Sequence, residues 1–253
     1  MRWLSFLLLA NGTAAAQSTP GRAAKPLRFD FALVAQIRDS FVFHVRGEER
    51  GWAVWQYELR SDAMAGGQEV LYTATSELRP VEAESLRIVV NRLTGAPVAS
   101  YQRLDFIAPG SDTVQLEHTL DVRRGLVTGR RRARTRSGAV RITPVNTPLP
   151  ADAVWSNYAF FAAPLTNAAP GDSLVGRAYG EFVDSLRPLV VVAETPTSVT
   201  VPAGRYDVLP LKAAGFRLFV TRVAPRRVVK GETLDGVFDF ELAGSGPPAR
   251  AGP

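Results

Sequence analysis

Cysteine is absent from the 253 residues, histidine and methionine occur twice each, and only Lys25, Lys212 and Lys230 are lysines. Without cysteine the chain has no disulfide framework, no thiolate nucleophile and no anchor for a bacterial lipoprotein's lipid. With His44 and His118 alone, a Ser-His-acid triad has few ways to form, and no G-x-S-x-G elbow exists to present its nucleophile. Neither histidine stands in an H-x-x-x-H spacing, so a zinc site would have to be gathered from scattered carboxylates. No catalytic residue, metal or cofactor is predicted. Nor does any apolar run approach the roughly 20 residues that a membrane-spanning helix requires.

A short apolar stretch lies at the start. Arg2, then Trp3 to Ala10, then Ala14-Ala15-Ala16 give a positive start, an apolar core and a small-residue cleavage site, the order of a secretory signal. Residues 1–16 are therefore expected to direct export to the periplasm or the medium, and the small, proline-bearing stretch 17–26 to form a flexible leader. The remaining chain is long enough to bury one large core unaided. The net charge is +6, carried almost wholly by arginine. Such a charge favours anionic partners in general. Nucleic acid is not expected, since zinc fingers, RNP-type aromatics and long basic helices are all missing.

From Leu27 to Leu242 apolar residues recur at every second position between Gly, Pro, Asn and Asp, which predicts half-buried strands in a single domain over 27–242. Phe41, Phe43 and Val45 lead through Gly47–Gly51 into Trp52–Leu59, a hairpin; two further hairpins follow up to Thr135, so an antiparallel meander results. The three prolines in Thr143–Pro150 predict a pause in that meander. Beyond it, Asp152 as cap with Val154, Tyr158 and Phe161 at i, i+4 and i+7, Trp155 beside them and Pro164 as stop, predicts one short helix. Strands resume at Ser173, and residues 243–253 are expected to be a disordered tail.

Three constellations carry the candidate chemistry. The aromatic helix, through Trp155, Tyr158 and Phe161, either plugs the core or covers an apolar cavity, and His118 shares the apolar face of its strand; these four are the ligand-binding candidates. Arg130, Arg132, Arg134 and Arg136 alternate onto one strand face, where they are either a solvated surface or a docking stripe for anionic lipid headgroups. Asp239 and Glu241 stand about 7 Å apart on one strand, a separation seen in glycosidases but also on any half-solvated strand.

The C-terminal third carries Val201-Pro202-Ala203-Gly204-Arg205-Tyr206-Asp207, then Pro225-Arg226-Arg227-Val228-Val229-Lys230, closing on Glu241-Leu242. In motif and order this resembles the bacterial envelope family called domain of unknown function 3108, over roughly Gly176 to Leu242. The resemblance implies an all-β fold: a strongly curved antiparallel sheet, like the half-barrels of periplasmic lipoprotein carriers, with a helix against the concave face. It brings across turn chemistry and no catalytic residue. Two readings of function follow: a non-enzymatic envelope protein holding a lipid or other apolar molecule, or a hydrolase of an envelope polymer. The first requires an oily hollow, and the second a polar cleft with perturbed acids.

Overall fold

A computed structural model describes residues 23–62, 67–107 and 112–247. The expected signal segment, most of the leader and the last six residues of the tail lie outside the described residues. The chain is all-β, with 68% of it in strands and 4% helical, and its strands form one curved sheet that does not close. In chain order the strands are β1 (Lys25–Pro26), β2 (Ile37–Val45), β3 (Glu48–Asp62), β4 (Gly67–Leu78), β5 (Glu82–Asn91), β6 (Pro97–Phe106), β7 (Thr113–Arg123), β8 (Leu126–Thr135) and β9 (Val140–Pro148). After them come β10 (Ala153–Trp155), helix α1 (Ser156–Phe161), β11 (Ser173–Gly180), β12 (Ser185–Ala193), β13 (Thr197–Val201), β14 (Gly204–Ala213), β15 (Phe216–Thr221), β16 (Val228–Thr233) and β17 (Phe238–Gly246).

Two meanders share the sheet. One runs β2 to β9 and the other β11 to β17, and the antiparallel pair β17–β2 joins them; β9 is one free edge, and the short β1 and β10, both parallel to β11, share the other. Tight hairpins drive each meander: Arg46-Gly47, Arg124-Gly125 and Ala214-Gly215 all place both residues at positive φ. That is the two-residue turn whose twist matches the flanking strands. The first hairpin is thus tighter than the Gly47–Gly51 turn expected, and a register shift at Phe43/His44 absorbs the difference. Farther on, Gly204 at φ 132° opens β14 after Pro202-Ala203, with the Tyr206 hydroxyl bonded to the Ala203 carbonyl at 3.2 Å.

Three expectations need correction. The prolines of 143–150 do not interrupt the meander; Pro144 and Pro148 lie in β9, paired to β8 on one side only, and an edge strand loses nothing by lacking an N–H toward solvent. Val154 and Trp155 are not helical, because Ala153–Trp155 pair in parallel with Arg177–Tyr179 and are buried there, and Asp152 pairs with Arg177 instead of capping. Ordered strand also reaches past both predicted limits of the domain: Lys25–Pro26 pair with β11, and Gly244–Gly246 with Arg38–Ser40.

The sheet's inner face forms one hydrophobic core, running through Phe41, Trp55, Tyr72, Ile88, Leu120, Tyr179, Leu211, Leu218 and Phe240. Helix α1 lies on this concave side. Phe161 at its end sits edge-on to Trp55 (4.6 Å) and stacks on Tyr72 (4.7 Å), and its carbonyl accepts the Tyr57 hydroxyl. At the other end Asn157 reaches Gln102 on β6 at 2.7 Å. The free edge at β10–β12 therefore rolls inward over β6 to β9, while the arc from β15 through β2 to β5 is met at one end by Phe161 and residues 163–165 and is otherwise open among the described residues.

Candidate functional site

A cavity of about 630 Å³ occupies the open part of that arc. Its position follows from strand register. Phe240 faces Phe43, Phe43 faces Gly51, Gly51 faces Leu78 and Leu78 faces Glu82, so one level of the trough is built by neighbours on five adjacent strands. Phe43, Phe216, Phe238 and Phe240 make one wall, Trp55 and Phe161 the floor, and Ser76, Leu78, Glu82 and Glu84 the opposite wall. Arg46, Glu48, Arg50 and Arg79, all exposed, ring the mouth where the hairpin turns meet. Gly231 lies directly behind the Phe240 ring, and a Cβ there would overlap it, so this glycine sets how far the aromatic wall stands back.

The acidic wall was not singled out from sequence, although a signal existed. Glu82 and Glu84 share the period-two phase of Leu86, Ile88 and Val90 on β5, an inward phase. Glu84 is buried; Gln102 Nε2 donates to it, and Ser76 Oγ does so more weakly at 3.4 Å. Burial raises its pKa, only partly offset by those two donors. Glu82 has its pKa raised to about 7, first by burial and then by the neighbouring Glu84 charge. Two of the three mouth arginines are committed elsewhere: Arg50 pairs with Glu48, and Arg79 Nε with Glu77 at 2.7 Å. Among the described residues, no basic side chain forms an ion pair with Glu82 or Glu84.

Of the ligand-binding candidates whose side chains are described, Phe161 alone lines the cavity. Trp155 is fully buried behind it, edge-on to Tyr179 at 5.8 Å, and is core. The side chain of Tyr158 lies outside the described residues. His118 is also fully buried, in the seam where the rolled edge meets β7 and β8. There its Nε2 meets Ser100 Oγ at 2.8 Å, its ring packs on Phe182 at 4.7 Å, and Arg131 stands opposite it in register. Burial, then the Arg131 charge, lowers its pKa to about 3, so the ring is neutral. Arg131 itself donates to the Phe182 carbonyl (2.9 Å) and reaches Asp184 (3.4 Å). Glu181 accepts from Ser156 Oγ at 2.5 Å, and burial raises its pKa to about 7 against the pull of that bond and of backbone N–H groups at the start of α1.

On the outer face, Arg130, Arg132 and Arg134 alternate along β8, and Arg136 follows just beyond its end. Arg132 bonds Gln115 at 2.7 Å. In register beside them on the edge strand stand Pro144, Ile142 and Val140, the last two 58% and 47% exposed. Asp239 and Glu241 are occupied separately, by His44 and Lys230, each at 2.9 Å. Among the described residues, no three His, Asp or Glu groups gather as a metal would require.

No protein-family model matches the chain, and no curated protein matches it. The likeness to domain of unknown function 3108 therefore stands on its turn residues alone. A solved structure with some similarity is a Bacteroides fragilis protein with a YmcC-like fold, inferred to be exported. It shares 10% identity over 87% of this chain and 99% of that one, at a TM-score of 0.35, too loose to carry an argument.

Proposed function

We propose that the chain is an exported, non-enzymatic binding protein whose curved sheet holds a lipid or other apolar molecule. The observation that carries this reading is the aromatic-walled cavity, whose size falls within the few hundred to about 1,000 Å³ of small-molecule sites. Export rests on the signal-like residues 1–16. The hydrolase alternative calls for perturbed acids in a polar cleft; Glu82 and Glu84 supply such acids, but the walls around them are largely aromatic and, among the described residues, no histidine lines the cavity. Ser100 and His118 are in contact, but at 2% and 0% exposure they are sealed from the cavity, and the histidine's basicity is suppressed.

The test is native mass spectrometry of protein purified from its own cells, paired with titration of 1-decanol against the tryptophan fluorescence of the purified chain. A ligand mass removed by organic extraction, or saturable quenching that Trp55→Phe abolishes, supports the reading. An apo mass together with no saturable quenching overturns it.

An anionic membrane surface is the partner we propose for the outer face. Guanidinium groups beside exposed Ile142 and Val140 match a lipid interface, which offers phosphate to the first and acyl chain to the second. In co-sedimentation with vesicles at low ionic strength, replacing Arg130, Arg132, Arg134 and Arg136 by Gln should abolish retention on phosphatidylglycerol vesicles. Unchanged retention removes the membrane from the account.

A further inference from the structure

We infer that the cavity selects a ligand bearing a positively charged ammonium head, held by Glu82 and Glu84 across from the phenylalanine wall. The inference rests on the apolar-pocket reading above and adds the head group.

An oily pocket that took a purely apolar guest would have no use for two carboxyl groups in its wall. Burying such groups is costly unless they are bonded or neutralised. Here they stand two residues apart on β5, on one face, with both side chains lining the cavity. Glu84 is fixed by neutral donors, Gln102 and Ser76, which orient a carboxylate without cancelling its charge. Of the arginines at the mouth, Arg50 is engaged with Glu48 and Arg79 with Glu77, and Arg46 is exposed beside them. Among the described residues no cation forms an ion pair with either wall carboxyl. Opposite the acids, Phe43, Phe238 and Phe240 stand with ring centroids 5.3–6.3 Å apart. Aromatic faces attract a cation through the ring quadrupole, most strongly once it is out of water. Carboxylate on one side and π-faces on the other suit an ammonium or quaternary ammonium head, with an apolar body lying against Trp55 and Phe161. An anionic head would meet Glu82 and Glu84 at short range, whereas Arg46, Arg50 and Arg79, which favour it, are exposed at the mouth.

The full-length chain is titrated with three decyl probes below their micelle concentrations: decyltrimethylammonium, 1-decanol and decanoate. The expected result at pH 8 is binding of the ammonium probe about tenfold or more tighter than of either other probe, the scale of one close charge pair at intermediate dielectric. Glu82→Gln and Glu84→Gln should each erase that preference while leaving 1-decanol affinity within about twofold. Because the quaternary head does not titrate, its affinity should also rise by about tenfold between pH 6 and 8 as Glu82 ionises. The other charges around Glu82 are Glu84 on its own strand, Arg79 in the adjoining turn, and Arg46, Glu48 and Arg50 across the mouth. Of these, Glu48 is exposed at the mouth and Glu84 shares the wall, so the rise tracks the two wall carboxyls. The pH series needs no variant and survives a failure of either substitution to fold. Equal binding of all three probes, or a preference for decanoate, overturns the ammonium head and leaves the apolar pocket standing. Failure of all three to bind overturns both.

Discussion

The trough at β15–β5 and the seam at β6–β12 are made from the same inner face of one sheet, yet one is hollow and the other solid. In the seam, β10 and the 180–184 loop lie over β6 to β9, and inward polar groups meet partners brought by that cover: Gln102 meets Asn157, and Arg131 meets the Phe182 carbonyl and Asp184. Asp184 shows how well this works. Burial opposes its charge, but hydrogen bonds from Tyr179 (2.5 Å) and Thr147 (2.7 Å) and the Arg131 guanidinium hold its pKa below the ordinary value. In the trough, among the described residues, the cover reaches the sheet at one end through Phe161, and Glu82 and Glu84 line the hollow left beside it. The difference teaches that polar residues in an inward phase mean opposite things by location: under a cover they knit two layers, and without one they equip a cavity.

Substitutions on the two sides should separate cleanly. Trp155→Ala, in the covered half, is expected to lose about 3–5 kcal/mol in denaturant unfolding, as filled cores do, without changing probe selectivity. Phe238→Ala, on the cavity wall and only half-buried, should lose about 1–2 kcal/mol, since less surface leaves water there. Equal losses would mean that the hollow is in fact packed. Gly231→Ala pushes on Phe240 from behind; a loss of about 2 kcal/mol with weakened 1-decanol binding is expected, and unchanged binding would show that the wall yields.

The pH dependence of stability sharpens the contrast. Glu82 and Glu181, both raised to about 7, hold more protons folded than unfolded between pH 4.5 and 7, so each lowers stability as pH rises through that window. His118, lowered to about 3, does the reverse: unfolded it binds a proton below about pH 6.5 that the folded ring refuses, so its contribution grows as pH rises toward 6.5. The slopes oppose one another. Relative to the parent, Glu181→Gln should make the unfolding free energy climb from pH 4.5 to 6.5, and His118→Gln should make it fall, each by on the order of 2 kcal/mol across the window. Parallel profiles for the two variants would overturn the assignment. The smallest effect is expected on the outer face, where Gln at Arg130, Arg132, Arg134 and Arg136 should move stability by no more than about 0.5 kcal/mol whatever it does to vesicle binding.

Much of this was legible in the residues. Strand rhythm, Gly-closed hairpins and the short aromatic helix are local properties, and they appear close to where the pattern puts them. The helix start was misjudged because Val154 and Trp155 fit an i, i+4 pattern as well as a buried strand, and only the availability of β11 as a partner decides between them. Of the site, Phe161 was found and Glu82 with Glu84 were not. Two acids alternating with Ala83 and Ser85 look solvated until their phase is traced onward to Leu86, Ile88 and Val90.

The sequence alone determined that the chain would be all-β and cysteine-free, with one oily face per strand, because side-chain period and turn chemistry act over a few residues. Tertiary structure alone decided which part of that oily face stays open. The answer depends on where the edge from β10 to β12 comes to rest against strands up to a hundred residues away, and no local pattern records the path of a rolled sheet.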